Sequence, residues 1–153
     1  MKRLFYLLSI VFLILSCSKN SQHSKAALLA AGNWKIIADS ISPGRVFSGP
    51  AAENDMFARY DDCERDNYFA FKSSGTYELN NGAQKCNSSD LQKLEGTWFL
   101  SDSDTKINLS PDPVYLSEQC DILELTTTRL RVVWYTREPN GTITRAHYIT
   151  LVH

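Results

Sequence analysis

Phe69-Ala70-Phe71-Lys72-Ser73-Ser74-Gly75-Thr76-Tyr77-Glu78-Leu79 holds two short alternating runs around a Ser-Ser-Gly turn. Side chains alternate with a period of two along a strand, so Phe69, Phe71, Tyr77 and Leu79 share one face and the hairpin sets Phe71 opposite Tyr77. The same pattern extends in both directions. Trp98 and Leu100 alternate with Thr97 and Phe99, and Ile107 and Leu109 return after Asp102-Ser103-Asp104 as a second hairpin. Leu130, Val132 and Trp134 alternate with Arg129, Arg131 and Val133, and Glu138-Pro139-Asn140-Gly141 turns that strand back through an Asn-Gly step. In the last strand Ile143-Arg145-His147-Ile149-Leu151 and Thr144-Ala146-Tyr148-Thr150-Val152 are both mixed faces, which leaves its inner side open. Upstream, Trp34-Lys35-Ile36-Ile37-Ala38 starts the sheet, Arg45-Val46-Phe47 can continue it, and Val114 to Leu125 supplies one or two more strands.

Little of the chain reads as helix. Ala26-Ala27-Leu28-Leu29-Ala30-Ala31 predicts one or two turns ended by a cap at Gly32, and Ser89 to Leu94 predicts a single turn with Leu91 and Leu94 on one side. Gly32-Asn33-Trp34-Lys35-Ile36 and Gly96-Thr97-Trp98-Phe99-Leu100 echo each other. The echo predicts, in each half, a glycine ending a helical turn and a tryptophan starting a strand at the barrel floor. The expected fold is all-β, an antiparallel up-and-down barrel of about eight strands with a short N-terminal helix, in which closure removes exposed strand edges.

The 153 residues are 43% hydrophobic and 22% charged, with a formal net charge of -1, which fits one globular domain. Such a balance excludes the strongly basic footprint that nucleic acid binding requires.

The N-terminus is a separate matter. Lys2 and Arg3 precede an apolar run from Leu4 to Leu15 broken by Ser9. As a helix those twelve residues reach about 18 Å, too short for a bilayer core of about 30 Å. A basic start, a short apolar middle and a small residue before a break form a secretory signal over 1–16. Ile14-Leu15-Ser16-Cys17 resembles the lipobox of bacterial lipoproteins, in which the cysteine is diacylated on sulfur and becomes the first residue after cleavage. That resemblance implies lipidation of Cys17, a lipidated tether over 17–25, a domain over 26–153 and attachment to a membrane through acyl chains, since several chains anchor where one does not. Ser18 after the cysteine resembles outer-membrane sorting, so the domain is expected on the outer membrane, facing the periplasm.

Leu28-Leu29 before Gly32-x-Trp34-Lys35-Ile36, Asp62-Cys63-Glu64-Arg65-Asp66 leading to Phe69-x-Phe71-Lys72-x-x-Gly75-Thr76-Tyr77, then Cys86, Gly96-Thr97-Trp98 and Leu125-Thr126 with Leu130 occur in a particular order. Over about Leu28 to Tyr135 the chain resembles the lipocalin-like domain of small bacterial lipoproteins of the Bacteroidetes type. The resemblance implies a lipocalin-type barrel in a family mostly without assigned activity. Cys120 and the 45–53 segment depart from the pattern.

With Cys17 assigned to lipid, Cys63, Cys86 and Cys120 remain, allowing three pairs. Extending the Phe71–Tyr77 register brings Cys63 and Cys86 within one position of facing each other. That disulfide is expected, and the resemblance matches it. Cys120 is then a free thiol, read as a small buried hydrophobe. No Cys-x-x-Cys or His-x-x-x-His spacing preorganises zinc. Asp61, Asp62, Glu64 and Asp66 crowd the hairpin entrance, but without the ligand alternation or loop glycine of a calcium site they read as a solvated turn, with Asp66 bonding backbone amides. No metal and no cofactor is expected. His147 reads as a rim residue, and no nucleophile with a base accompanies it, so no enzyme is expected. The sequons at Asn87, Asn108 and Asn140 read as turns.

Two functions follow. In the first the barrel binds a small apolar or amphipathic molecule in the cell envelope, with Trp34, Phe69, Phe71, Tyr77, Trp98, Leu100 and Trp134 lining the site. In the second those large side chains fill the barrel, and it acts through its surface as an interaction or scaffold module, with Phe47, Phe57, Tyr60, Phe99 and Tyr115 as exposed contacts.

Overall fold

The structure is a computed structural model and describes residues 24–153. The expected signal segment 1–16, the expected lipidation site Cys17 and the expected tether as far as His23 lie outside the described residues.

Ser24 caps helix α1 (Lys25–Leu29), its side chain accepting from the Ala27 N–H at 3.2 Å, as short polar groups do at helix starts. The helix ends at Ala30, and Gly32 is not in the left-handed conformation. The glycine is required for a different reason than the expected cap: a Cβ there would lie 2.6 Å from Nδ1 of His153, so the ring packs directly on the backbone.

Strands β1 (Asn33–Arg45), β2 (Glu53–Asp55), β3 (Tyr68–Phe71), β4 (Thr76–Asn80), β5 (Lys93–Ser101), β6 (Lys106–Ser110), β7 (Gln119–Leu125), β8 (Arg129–Arg137) and β9 (Ile143–Val152) follow. Every pairing is antiparallel, and β3 to β9 are neighbours in chain order. The start of β1 pairs with β3, and its length from Lys35 to Ser42 pairs with β9, so eight strands close on themselves. The short β2 is appended to the far end of β1. The eight-stranded antiparallel barrel with a short N-terminal helix is thus the observed fold.

Both hairpin registers agree with the alternation: Phe71 faces Tyr77, and Trp98 and Leu100 face Leu109 and Ile107. The second turn places Asp102, Ser103 and Asp104 at φ values of 52°, 55° and 62°, a left-handed run that side chains with a Cβ adopt at a cost. Gly141 sits at φ 86° in the Asn-Gly turn. In β9 the inner face is His147, Ile149 and Leu151, which resolves the mixed pattern: Ile149 and Leu151 are fully buried and pair with Val132 and Leu130.

Three local expectations are corrected. The chain turns at Asn87 to Asp90, runs irregularly to Gln92 and enters β5 at Lys93, so Leu91 and Leu94 do not share a helical face. Gly96 consequently lies within a strand rather than at a helix end, and the echo with Gly32 is one of sequence only. Its lack of a side chain admits the Tyr77 ring, since a Cβ would meet Tyr77 Cε1 and the Ser110 carbonyl oxygen at 2.5 Å. Asn108 is a strand residue, while Asn87 and Asn140 lie in turns.

The two ends of the barrel differ. At one end α1 and the turns at 72–75, 102–105 and 126–128 gather around Trp34, whose indole N–H donates to the Leu29 carbonyl at 2.7 Å and whose ring meets His153 edge to face at 4.5 Å. Phe69, opposite Trp34 in the ladder, packs with Phe71, Tyr77 and Trp98 at centroid separations of 5.6 to 6.5 Å, and the Trp98 indole N–H donates to the Lys72 carbonyl. This floor is solid, as close-packed interiors are. The other end carries the long segments 46–67, 81–92 and 111–118.

Candidate functional site

The site begins with an irregularity in β1. Ile36 pairs with Leu151 but Ala38 pairs with Thr150, so Ile37 is an extra residue, bulged out and 45% exposed. A bulge inverts the alternation that follows. Asp39, which strict alternation from Trp34 and Ile36 would send outward, turns inward opposite Ile149, and Ile41 lies inward opposite His147.

His147 in turn pairs with Trp134, and their rings stack at 3.7 Å and 10°. Ile41, His147 and Trp134 therefore form one inward layer at the open end, with Asp39, Ile149 and Val132 in the layer beneath. Above them, the segment after β2 folds back. A 3-10 turn (Phe57–Arg59) and helix α2 (Asp62–Arg65) bring in Tyr60, whose hydroxyl donates to Asp39 Oδ2 at 2.8 Å and whose ring packs on Phe57 at 5.3 Å and on Tyr115 at 5.2 Å. Tyr115 donates to Glu64 and accepts from Asn67.

Asp39, Tyr60, Glu64, Tyr115, Trp134 and His147, with Arg45, Phe47, Met56, Arg59 and Val114, line a broad, largely open chamber of about 400 Å³. A smaller hollow of about 260 Å³, lined by Asn67, Leu79, Leu91 and Leu94 among others, shares Val114 and Tyr115 with it. At the rim the Phe47 ring lies 4.1 Å from the Arg59 guanidinium and 5.5 Å from that of Arg45, and Arg59 is paired with Glu53 at 3.2 Å.

Burial raises the Asp39 carboxyl above its ordinary range, against the lowering effect of the Tyr60 hydrogen bond. Burial likewise raises both tyrosines, Tyr115 to about 12, with Glu64 adding to it, and Tyr60 with help from Asp39. His147 is lowered by burial and then by the positive charges of Arg145 and Arg45, so its imidazole is neutral at pH 7.

The chamber wall is braced by the expected disulfide, Cys63–Cys86, with a Cα separation of 5.2 Å, which joins α2 to the 81–92 loop. Asp61 and Glu64 form a capping box on α2, and Asp66 accepts from the amides of Ala83 and Gln84 at 2.7 and 3.2 Å. Arg65 donates to the Tyr60 carbonyl and lies over the Phe57 ring. Asp61, Glu64 and Asp66 are thus occupied in fixing local backbone. No group of three metal-ligating side chains occurs among the described residues. Cys120 is free and buried at β7, its thiol pushed up to about 12, first by desolvation.

Of the seven side chains expected to line a ligand site, Trp34, Phe69, Phe71, Tyr77 and Trp98 are buried in the packed interior, and Leu100 is half-buried against it. None of these six lines the chamber; Trp134 does. Among the residues expected as surface contacts, Phe47 and Phe99 are exposed, at 39% and 61%. Phe57, Tyr60 and Tyr115 are half-buried at the open end instead, because the 53–66 segment folds over the mouth. Asp39, Met56 and Arg59 carried no sequence signal: one follows a bulge and two lie in an aperiodic segment.

The result is an antiparallel eight-stranded barrel with a packed interior, closed at one end and carrying a chamber at the other. The sequence model of the lipocalin-like domain matches residues 31–132, and the chain belongs to that family. No curated protein matches the chain in sequence. Solved structures similar to it include a deswapped triple mutant of bovine odorant-binding protein, at 16% identity and a TM-score of 0.42 over 82% of this chain and 74% of that one. Bovine odorant-binding protein in complex with undecanal follows at 15% and 0.40, covering 79% and 68%, and aphrodisin, a sex pheromone from female hamster, at 12% and 0.38, covering 79% and 72%.

Proposed function

We propose that this domain is a non-catalytic binding module, tethered to a membrane of the cell envelope, that holds a small amphipathic molecule in its open-end chamber. The observation that carries this reading is the chamber itself: about 400 Å³, within the roughly 300–1,000 Å³ of small-ligand sites, walled by Tyr60, Tyr115 and Trp134 and set over a packed floor. Aromatic walls supply contact area and the few polar groups among them supply orientation. The guest sits above the barrel core rather than within it.

The tether is supported by the sequence at Ile14 to Cys17 and by Ser18, which favour acylation and an outer-membrane, periplasm-facing placement. Mass spectrometry of the membrane-extracted protein is expected to find Cys17 acylated, and Cys17→Ala to move the protein to the soluble fraction.

Binding is tested by tryptophan emission. A protein with Trp34→Phe and Trp98→Phe keeps only Trp134, the one tryptophan at the chamber. N-phenyl-1-naphthylamine is expected to quench that emission saturably. A protein retaining only Trp34 or only Trp98 is expected to respond little. Quenching confined to the two floor tryptophans, or none at all, rejects the chamber as the site.

A further inference from the structure

Three polar atoms on chamber-lining side chains are shielded from solvent and have no hydrogen-bond partner among the described residues: Asp39 Oδ1, Trp134 Nε1 and His147 Nε2. Buried polar groups are nearly always partnered, and three orphans on side chains that line one chamber stand out. Asp39 is the informative one. Its carboxylate reaches inward from the layer of Ile149 and Val132, with Tyr60 on one oxygen and, among the described residues, no Lys, Arg or His nitrogen within ion-pair distance.

Two arginines line the same chamber: Arg59 holds Glu53 and lies over the Phe47 ring, and Arg45 lies 5.5 Å from that ring, neither within ion-pair distance of Asp39. What surrounds the carboxylate is aromatic. The rings of Tyr60 and Tyr115 pack together, and Trp134, on β8 with only β9 between it and Asp39's strand, is stacked on a neutral His147. A carboxylate without a counter-ion beside several π faces attracts an organic cation by a charge-assisted hydrogen bond and by cation–π contact. The imidazole Nε2, when its proton is on Nδ1, accepts a second ammonium hydrogen.

Resting on the binding reading above, we infer that the guest is a protonated organic amine, its ammonium placed at Asp39 and its apolar body against Trp134 and Tyr115. Heads of the opposite sign meet Asp39 and Glu64, and neutral hydroxyl heads forgo the charge-assisted bond.

The test compares three probes with the same body, 4-phenylbutylamine, 4-phenylbutan-1-ol and 4-phenylbutyrate, titrated calorimetrically at pH 7 into the wild-type domain and into Asp39→Asn. The amine is expected to bind roughly tenfold more tightly than the alcohol, and the acid most weakly. Asp39→Asn, which keeps an acceptor for Tyr60, is expected to erase the amine's preference over the alcohol. Should that variant fail to fold, the wild-type ranking alone decides. Alcohol or acid binding as well as the amine, an amine preference that survives Asp39→Asn, or failure of all three to displace bound N-phenyl-1-naphthylamine overturns the amine assignment and leaves the chamber reading standing. A protein that binds neither these probes nor N-phenyl-1-naphthylamine overturns both.

Discussion

Replacing Cys63 and Cys86 together by alanine removes a crosslink of sequence separation 23 without touching the barrel ladders. In the chain-entropy model, closing a loop of that size takes about 11.5 cal/mol/K from the unfolded ensemble, or about 3.4 kcal/mol at 25 °C. For the roughly 130 residues of the described domain, an unfolding entropy of about 2.1 cal/mol/K per residue converts this to a fall in Tm of about 12 °C. Guanidinium unfolding of the oxidised wild type and of the double variant, monitored by circular dichroism, measures the free energy, and thermal unfolding of the same two proteins measures the Tm. The wild type treated with reductant is expected to coincide with the variant. The effect has a second, local part: α2 and the 81–92 loop remain joined by the Asp66 bonds to Ala83 and Gln84, so the barrel core is expected to keep its spectrum. A loss under about 1 kcal/mol would refute the reasoning, because it would mean that these polar contacts already restrict the unfolded loop as much as the covalent bond does.

Four more outcomes are expected. Gly96→Ala sets a Cβ 2.5 Å from the Ser110 carbonyl oxygen and from the Tyr77 ring, and should destabilise by about 1–3 kcal/mol in denaturant unfolding. Ser103→Gly relieves one residue of the left-handed run at 102–104 and should stabilise by about 0.5–1 kcal/mol; a loss would show that the run is not strained. His147, held below 6.5, contributes stability that is fully present above pH 6.5 and is lost as pH falls through its folded-state value, so His147→Gln should flatten the stability profile on that acid side. Cys120, buried with a thiol near 12, should react with a thiol reagent at pH 8 many-fold more slowly in the folded protein than in denaturant.

What the sequence disclosed follows from which rules hold locally. Alternation survives wherever strands are regular, so Phe71 opposite Tyr77 and Trp98 opposite Leu109 were legible, and the same register reached Cys63 and Cys86 although they lie five and six residues past the last ladder pair, Tyr68 with Asn80. It fails at bulges. One extra residue at Ile37 re-aims Asp39 into the chamber, and a matching irregularity between Ile122 and Glu124 sends Leu123 to solvent at 50% exposure. Gly32 shows a different failure: composition marked it as a helix cap, whereas the requirement comes from His153, 121 positions away. The wall formed by Met56, Arg59 and Tyr60 belongs to a stretch with no period to read, held in place by tertiary bonds that composition does not announce.

The floor of the barrel also fixes how the molecule can be held. Lys25 bonds the carbonyl of Asp104 in a floor turn, and His153 packs on Gly32, so both ends of the described chain emerge on the side opposite the chamber. A bead or sensor surface joined at Ser24, or a label joined at His153, is therefore attached on the floor side, away from the mouth.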